Sequence, residues 1–252
     1  KLYTTHYSTM IEGNQLKPEE IKEVIQLQGH FPGRERDEHE VKGYYAALAQ
    51  LEQYASQNHP VTQKIIQTLH ALVMSDGRTH IKPTPYRDVQ NVIKDSGTGT
   101  VVYMPPEAKD VPCLMRNLVS WIKEIEEIPC LIVAGIAHYQ FATIHPYYDG
   151  NCRTSRLLIK GLYSLEGYYA KNLLGYYRAI IIGLSHNYYF GRPESDITPW
   201  VEYFTEGMAF AFEKVVAQMM QSIEKGEKDH LQVLRTLEPK KRKALELFKG
   251  YD

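Results

Sequence analysis

The sequence contains little cysteine and no long apolar run. Only three of its 252 residues are cysteines, Cys113, Cys130 and Cys152, and no two of them form a CxxC pair. This odd and widely spaced set argues against a disulfide framework and favours a reducing compartment, so we expect a cytoplasmic protein. No apolar stretch is long enough to cross a bilayer, so we expect no membrane partner. Because the chain starts at Lys1 rather than Met, a removed signal peptide stays an open alternative.

The sequence also has almost no net charge. Its 29 Lys and Arg residues nearly balance 30 Asp and Glu residues, which leaves a formal charge of −1. The chain as a whole therefore lacks the basic footprint of a nucleic-acid-binding protein. Its 43% hydrophobic content is enough for a sizeable core in one large domain or two small ones. The 19 tyrosines are candidates for self-modification, although we expect most of them to be packing residues.

One stretch, residues 145–156, concentrates the reactive side chains. It reads His-Pro-Tyr-Tyr-Asp-Gly-Asn-Cys-Arg-Thr-Ser-Arg and follows an apolar helical segment over residues 130–144. Pro146 cannot continue that helix, Gly150 tolerates unusual backbone angles, and Asn151 suits a helix N-cap. The pattern predicts a helix, a tight loop and a second helix that starts near Asn151 and continues through Leu162.

The start of the second helix has the properties of an anion site. Free backbone N–H groups at a helix N-terminus attract anions. Arg153 and Arg156 lie in the first turns, where a cation opposes the helix dipole unless an anion is bound. Asp149 offers a hard carboxylate of the kind that holds Mg²⁺ beside phosphates, and His145 is placed to take a proton from a hydroxyl. These parts are typical of phosphoryl or nucleotidyl transfer.

The same stretch resembles the signature of Fic-domain proteins, His-Pro-Phe-x-Asp/Glu-Gly-Asn-Gly-Arg-x-x-Arg. It departs from the signature at Tyr147, which replaces Phe, and at Cys152, which replaces the last Gly. The resemblance implies an all-α, Fic-type helical bundle with one β-hairpin flap. It also implies an enzyme that transfers AMP from ATP to a hydroxyl of a target protein. The plain alternative is a capped helix with solvated charges.

The resemblance implies a role for each residue of the loop. His145 is the general base, Asp149 binds Mg²⁺, and Arg156 holds the γ-phosphate of ATP. We expect the remaining nucleotide-binding residues to be Gly150, Asn151, Cys152, Arg153, Tyr188 and Tyr189. The two tyrosines are expected to stack on adenine, with core packing as the alternative.

A second resemblance lies near the N-terminus. Residues 8–13, Ser-Thr-Met-Ile-Glu-Gly, are similar to the inhibitory motif of the family, Ser/Thr-x-x-x-Glu-Gly/Asn. We predict a short helix over residues 4–11 that ends near Gly13. The resemblance implies that Ser8 and Glu12 are inhibitory and that Glu12 pairs with Arg156, in competition with the γ-phosphate. A helical Ser with a Glu one turn later is the alternative.

Residues 86–104 are predicted to form a β-hairpin. Residues 86–93 and 100–104 have the composition of strands, and residues 96–99 form a turn between them. Residues 88–104 look like the Fic flap, which adds a strand to an extended piece of the target protein. A hairpin that only stabilises the fold is the alternative.

The rest of the chain is predicted to be helical. Apolar residues at helical spacing predict helices over residues 18–28, 38–53, 60–73, 111–128, 130–144 and 200–223. His138 on the central helix is expected to be a satisfied core residue rather than a metal ligand.

Two domains are predicted. Residues 1–230 form a Fic domain with its inhibitory helix, and residues 231–252 are the start of a truncated C-terminal module. In similar family members this module is a DNA-binding winged helix. We therefore expect this protein to bind nucleic acid only through that module. A nucleotide-sensing transcriptional regulator with its DNA-binding module beyond residue 252 is one alternative function. Removal of AMP, or transfer of another phosphate group, is the other. An oligomer is compatible with the sequence.

Overall fold

The computed structural model describes residues 1–78, 80–95, 97–158, 165–181 and 186–224, without the side chains of residues 218, 219 and 221–224. Within these ranges the chain forms ten α-helices and one two-stranded sheet. In chain order they are α1 (Leu2–Ile11), α2 (Pro18–Gln26), α3 (Glu35–Ser56), α4 (Gln63–Val73), β1 (Ile93–Lys94), β2 (Val101–Tyr103), α5 (Val111–Glu124), α6 (Cys130–Ile144), α7 (Asn151–Leu158), α8 (Glu166–Lys171), α9 (Leu173–Ile180) and α10 (Thr198–Glu224). The predicted all-α class with one β-hairpin is confirmed.

The helix boundaries follow local capping chemistry. Helix α6 has the predicted bounds. Helix α4 starts three residues after the predicted Pro60, because the Thr62 side chain caps it by accepting the Ile65 amide at 3.1 Å. Helix α5 ends at Glu124 rather than at 128, because the backbone of Ile125 is already extended. Helix α3 is longer than predicted at both ends.

Helix α6 runs through the centre of the molecule. Its apolar side chains pack against α5 on one side and against α10 on the other. A Cβ at Gly135 would lie 2.8 Å from the Phe204 ring, so only glycine permits this approach of α10. Trp200 on α10 donates its indole N–H to the Gly135 carbonyl at 2.8 Å. This packing fixes the end of α6, where the loop of residues 145–150 begins.

His138 on α6 is a core residue, as predicted, but within the described residues its Nδ1 has no hydrogen-bond partner. Its ring is fully buried and stacks on Trp200 with the centroids 5.0 Å apart. Its Nε2 lies 3.2 Å from the Tyr176 hydroxyl. Burial lowers the pKa of His138 to about 3, so the imidazole is neutral at physiological pH.

Helix α1 packs against α3, α7 and α8 through a polar face that includes Thr5, Ser8 and Thr9. The helix ends in a Schellman motif: the amide of Gly13 donates to the Met10 carbonyl, and the next amide donates to the Thr9 carbonyl. Gly13 has φ +91°, which a glycine adopts without strain. The predicted short helix is confirmed, and Glu12 is its C-cap residue.

The hairpin is shorter than predicted. Ile93 pairs with Tyr103 and Lys94 with Val101 in antiparallel register. The prediction of a strand from residue 86 is wrong, because this segment bonds to the loop of residues 145–150 in place of a ladder. The side chains of Arg87 and Asn91 donate to loop carbonyls, and the Asp88 amide donates to the Tyr148 hydroxyl. The Asp95 carboxylate accepts the amides of Gly97 and Thr98 at the predicted turn. On its other side, Met104 forms a parallel bridge with Asn187.

Some sequence predictions lie outside the described residues. They are the C-terminal module of residues 231–252 and the continuation of α7 to residue 162. In the part of the chain that is described, no helix is both long enough and apolar enough to cross a bilayer.

A candidate active site at the start of helix α7

The loop between α6 and α7 turns sharply at its first residue. His145 caps α6 in the left-handed conformation, with φ 51° and ψ 60°, and its amide donates to the Phe141 carbonyl at 3.0 Å. A non-glycine residue in this region costs about 1–3 kcal/mol, and such strain clusters at functional sites. The turn directs the chain away from α6 immediately before Pro146.

The loop closes on itself through Asn151. Its side chain accepts the Tyr147 amide at 2.9 Å and donates to the Tyr147 carbonyl at 2.8 Å. Gly150 has φ +73°, and a Cβ there would lie 2.7 Å from the Met74 sulfur. The predicted start of α7 at Asn151 is confirmed. Since the Asn151 side chain is engaged within the loop, its contribution to an anion site is its backbone amide.

His70 on α4 packs against the loop of residues 145–150, a role that sequence reasoning missed. Its Nε2 donates to the Asp149 carbonyl at 2.9 Å, and its ring stacks on Tyr147 with the centroids 3.6 Å apart. Burial lowers the pKa of His70 to about 4, so a neutral imidazole carries this hydrogen bond. In the sequence His70 is one position of an apolar helical stripe, which does not distinguish it from a packing residue.

The candidate base, His145, is partly buried beside a cation. Burial lowers its pKa to about 4, and the charge of Arg87 acts in the same direction. Arg87 also donates its Nε–H to the His145 carbonyl at 3.0 Å. The imidazole is therefore unprotonated at neutral pH, which is the state that a general base requires.

The candidate metal ligand, Asp149, lies at the mouth of the loop with its side chain 69% exposed. One carboxylate oxygen accepts the Gly150 amide at 2.6 Å, and the other lies 3.3 Å from Arg153. Among the described residues, no three His, Cys, Asp or Glu side chains converge as a metal cage. A single exposed carboxylate nevertheless fits Mg²⁺, which commonly takes its other ligands from phosphates and water.

Arg153 is buried between two carboxylates. Besides Asp149, it lies 3.9 Å from Glu40 on α3 and 3.8 Å from the Met74 sulfur. Glu40 also accepts the side-chain amide of Asn14, which follows α1. Arg153, which the sequence predicts at an anion site, is thus linked through Glu40 to Asn14, just after the end of α1.

Arg156 and Glu12 form an ion pair across 144 residues of sequence, as predicted. The Arg156 guanidinium is fully buried and donates through Nη2 to Glu12 Oε1 at 2.8 Å. Ser8 completes the contact, because its hydroxyl accepts from Nε at 2.8 Å and its carbonyl from Nη2 at 2.9 Å. The pKa of Arg156 stays well above its usual value: burial opposes the charge, but Glu12, Tyr176, Tyr44 and Cys152 together favour it more. Within the described residues, its Nη1 has no hydrogen-bond partner.

Two tyrosines on α9 adjoin this ion pair, and sequence reasoning missed both. Tyr176 is buried, and its hydroxyl contacts His138. Burial raises the pKa of Tyr177 to about 12, and Glu12 adds to the increase. Their helix is close to the arginine only in the folded chain, so no sequence spacing reveals them.

Tyr188 and Tyr189 lie beside the hairpin. The Tyr189 hydroxyl donates to the Asp110 carboxylate and accepts the Glu107 amide at 2.8 Å. The Tyr188 amide donates to the Met104 carbonyl at 3.0 Å. No hydrogen bond or ring contact joins either tyrosine to residues 145–156 in the described structure, and their nucleotide-binding role stays a prediction.

Cys152 is the second residue of α7 and is half-buried. Its backbone is not among the positive-φ positions, so a side chain is compatible with the helix here. Burial raises the pKa of the thiol to about 12, and the charge of Glu12 adds to this. The thiol is therefore protonated and unreactive as a nucleophile at neutral pH.

Comparison with known proteins relates the region that holds this loop to a known family. Residues 60–162 match the model of the Fic/DOC family. The chain is 30% identical over 167 residues, 65% of its length, to "Protein adenylyltransferase Fic" of Drosophila erecta. It is 28% identical over 210 residues, 80% of its length, to the Aedes aegypti protein of the same name. It spans 32% and 39% of these two relatives, roughly a third of each.

Solved structures show the same fold. A Fic family protein from Desulfovibrio desulfuricans G20 is 28% identical and superposes with a TM-score of 0.69 over 86% of this chain and 64% of that one. Fic-1 from C. elegans is 21% identical, with a TM-score of 0.68 over 88% of this chain and 64% of that one. The predicted Fic-type fold is confirmed, and within it residues 60–162 match the Fic/DOC family.

Proposed function

We propose that residues 60–162 form a Fic domain and that this protein transfers AMP from ATP to a Ser, Thr or Tyr hydroxyl of a target protein. The observation that carries the proposal is the loop itself. It holds an unprotonated His145 a few residues before the N-terminus of α7, the helix that carries the buried Arg156. The names of the relatives, protein adenylyltransferase, support the same reaction.

The residues of the loop divide the chemistry among them. His145 takes the proton of the incoming hydroxyl as its oxygen attacks the α-phosphorus of ATP. The bond between that phosphorus and the oxygen bridging to the β-phosphate breaks, and pyrophosphate leaves. The first amides of α7 and the Arg153 side chain hold the phosphates, which is the usual role of a helix N-terminus. Mg²⁺, which Asp149 would hold, offsets the phosphate charge when it is bound.

We also infer that Glu12 restrains the reaction. In the described structure Glu12 occupies the Arg156 guanidinium, which is the group we expect to hold the γ-phosphate. A charged hydrogen bond of this kind is strong and directional, so the phosphate and the carboxylate compete for one donor. Removal of Glu12 leaves a fully buried cation that a γ-phosphate satisfies. Arg156→Ala removes the donor itself, so we expect it to be inactive with or without Glu12.

The proposed reaction also indicates which partners the protein has. We place the target segment on the hairpin of residues 88–104, because strand addition holds an extended peptide through its backbone. Exposed hydroxyls of this chain are further acceptors, which predicts self-modification. We place the reaction in the cytoplasm, because Cys113, Cys130 and Cys152 are all free thiols.

Incubation with labelled ATP and a native lysate tests the proposal. The Glu12→Gly variant should label at least one protein. A second substitution in this variant, Asp149→Ala, should reduce the label, and so should a chelator added to the reaction. His145→Ala in the Glu12→Gly background should lose about 100- to 10,000-fold in rate while ATP still binds, as expected for loss of a general base. Undiminished labelling by the His145→Ala form would show that the reaction has been assigned to the wrong residue.

A further inference from the structure

Tyr148 joins the active-site loop to the start of the hairpin. Its hydroxyl accepts the amides of Asp88 at 3.2 Å and Val89 at 3.0 Å. The same hydroxyl donates to the Asp88 carboxylate at 2.5 Å. One side chain of the loop thus fixes both the backbone and a side chain of the segment that leads into β1.

The position of Tyr148 suits a connection rather than a core. The residue is 57% exposed, so the ring contributes little burial, and its three hydrogen bonds converge on the hydroxyl. It stands three residues after His145 and directly before Asp149. Any movement of residues 88 and 89 relative to this hydroxyl is a movement relative to the candidate base.

Two further residues make the connection stiff. Arg87 is buried and binds three carbonyls with its guanidinium, those of His145, Val89 and Pro106. Asn91 donates its side-chain amide to the Tyr147 carbonyl at 3.0 Å. Together with Tyr148 they fasten both ends of the segment 87–91, and we refer to these three residues as the flap brace.

We propose that Tyr148 is a positioning residue that sets the register of a docked target segment relative to His145. The inference rests on the proposed function and deepens it. A strand advances about 3.3 Å per residue, and a slip of one residue turns every side chain to the opposite face. A hydroxyl must come within about 3–3.5 Å of the phosphorus to react. The hairpin therefore selects one hydroxyl only if its distance from the loop is fixed.

Hydrogen exchange tests the brace without any activity. In Tyr148→Phe, which keeps the ring, the amides of residues 88 and 89 should exchange faster than in the parent. Tyr86→Phe is the matched control, because its ring also contacts the loop, at Tyr147, but its hydroxyl bonds to Gln63 on α4. Unchanged exchange at residues 88 and 89 in Tyr148→Phe would overturn the brace.

Transfer kinetics in the Glu12→Gly background test the positioning role. For Tyr148→Phe we expect kcat/KM for a target protein to fall about 3- to 10-fold, the effect of a lost hydrogen bond, with ATP affinity unchanged. The share of product modified at secondary hydroxyls, read by mass spectrometry, should rise, whereas Tyr86→Phe should change neither quantity. Faster exchange with unaltered rate and site choice would refute the positioning role. If the Glu12→Gly parent transfers no AMP, the proposed function and this role both fail, while the exchange result still decides whether the brace exists.

Discussion

Burial sets the protonation state of His145, and this predicts how the reaction depends on pH. The pKa of His145 is lowered to about 4, so the neutral base persists until the pH falls toward that value. We expect kcat/KM of the Glu12→Gly variant to stay level between about pH 6 and 8 as far as His145 is concerned. A steady-state pH series at saturating Mg²⁺ measures this. A loss of rate with a midpoint near 6.5, the ordinary histidine value, would contradict the assignment.

The replacement of glycine by Cys152 is a second question at the scale of one residue. The thiol is half-buried and protonated, and it lies where phosphates are expected. We expect Cys152→Gly to keep the fold, because the backbone is not strained here, and to keep or raise the transfer rate by making room. Thermal unfolding and the rate of AMP transfer are the measurements. A clear loss of activity would show that the thiol contributes to the site.

At the scale of elements, the junction after α1 controls how firmly the helix is held. Asn14 is buried and donates to the Asp37 carbonyl at 2.9 Å and to the Glu40 carboxylate at 3.1 Å on α3. Asn14→Ala should lower the free energy of unfolding by about 1–3 kcal/mol, because it leaves buried acceptors unsatisfied. It should also raise basal AMP transfer, though less than Glu12→Gly does, because the end of α1 that carries Glu12 is held less firmly.

Gln15→Ala is the control for this prediction. Among the residues that the structure describes, its side chain bonds only to the nearby Gly13 carbonyl, whereas its backbone amide, which the substitution keeps, donates to the Asp37 carboxylate. A chemical-denaturation curve and the transfer rate of each variant decide the matter. Wild-type activity in Asn14→Ala would show that the junction does not govern α1.

At the scale of the whole molecule, the buried histidines couple stability to pH. Burial lowers the pKa of His70 and His145 to about 4 and that of His138 to about 3. The unfolded chain takes up protons at these sites below about pH 6.5, and the folded chain does not. Stability should therefore fall as the pH drops from 7 to 5. Since 1 kcal/mol moves the midpoint of a domain this size by about 2–4 °C, calorimetry at the two values will resolve it. Equal midpoints would contradict these lowered pKa values.

The sequence predicts the local parts of this molecule and misses the distant ones. The bounds of α6 and the start of α7 follow from Pro146 and Asn151, which act within a few residues. His70 and Arg87 were missed because they reach the loop across 79 and 58 residues. The pair of Glu12 and Arg156, 144 residues apart, was found only because both ends resemble a known family. The strand at residue 86 was wrong because side-chain contacts to the loop replace the ladder.

Intact-mass spectrometry after incubation with Mg-ATP measures whether His145 transfers AMP and whether Glu12 restrains that transfer. Three proteins are compared, namely the wild type, Glu12→Gly, and Glu12→Gly combined with His145→Ala. We predict an AMP-sized mass increase in Glu12→Gly, a much smaller one in the wild type below saturating ATP, and none in the double variant. Equal modification of the wild type and Glu12→Gly would contradict the restraint by Glu12, and modification of the double variant would contradict transfer through His145.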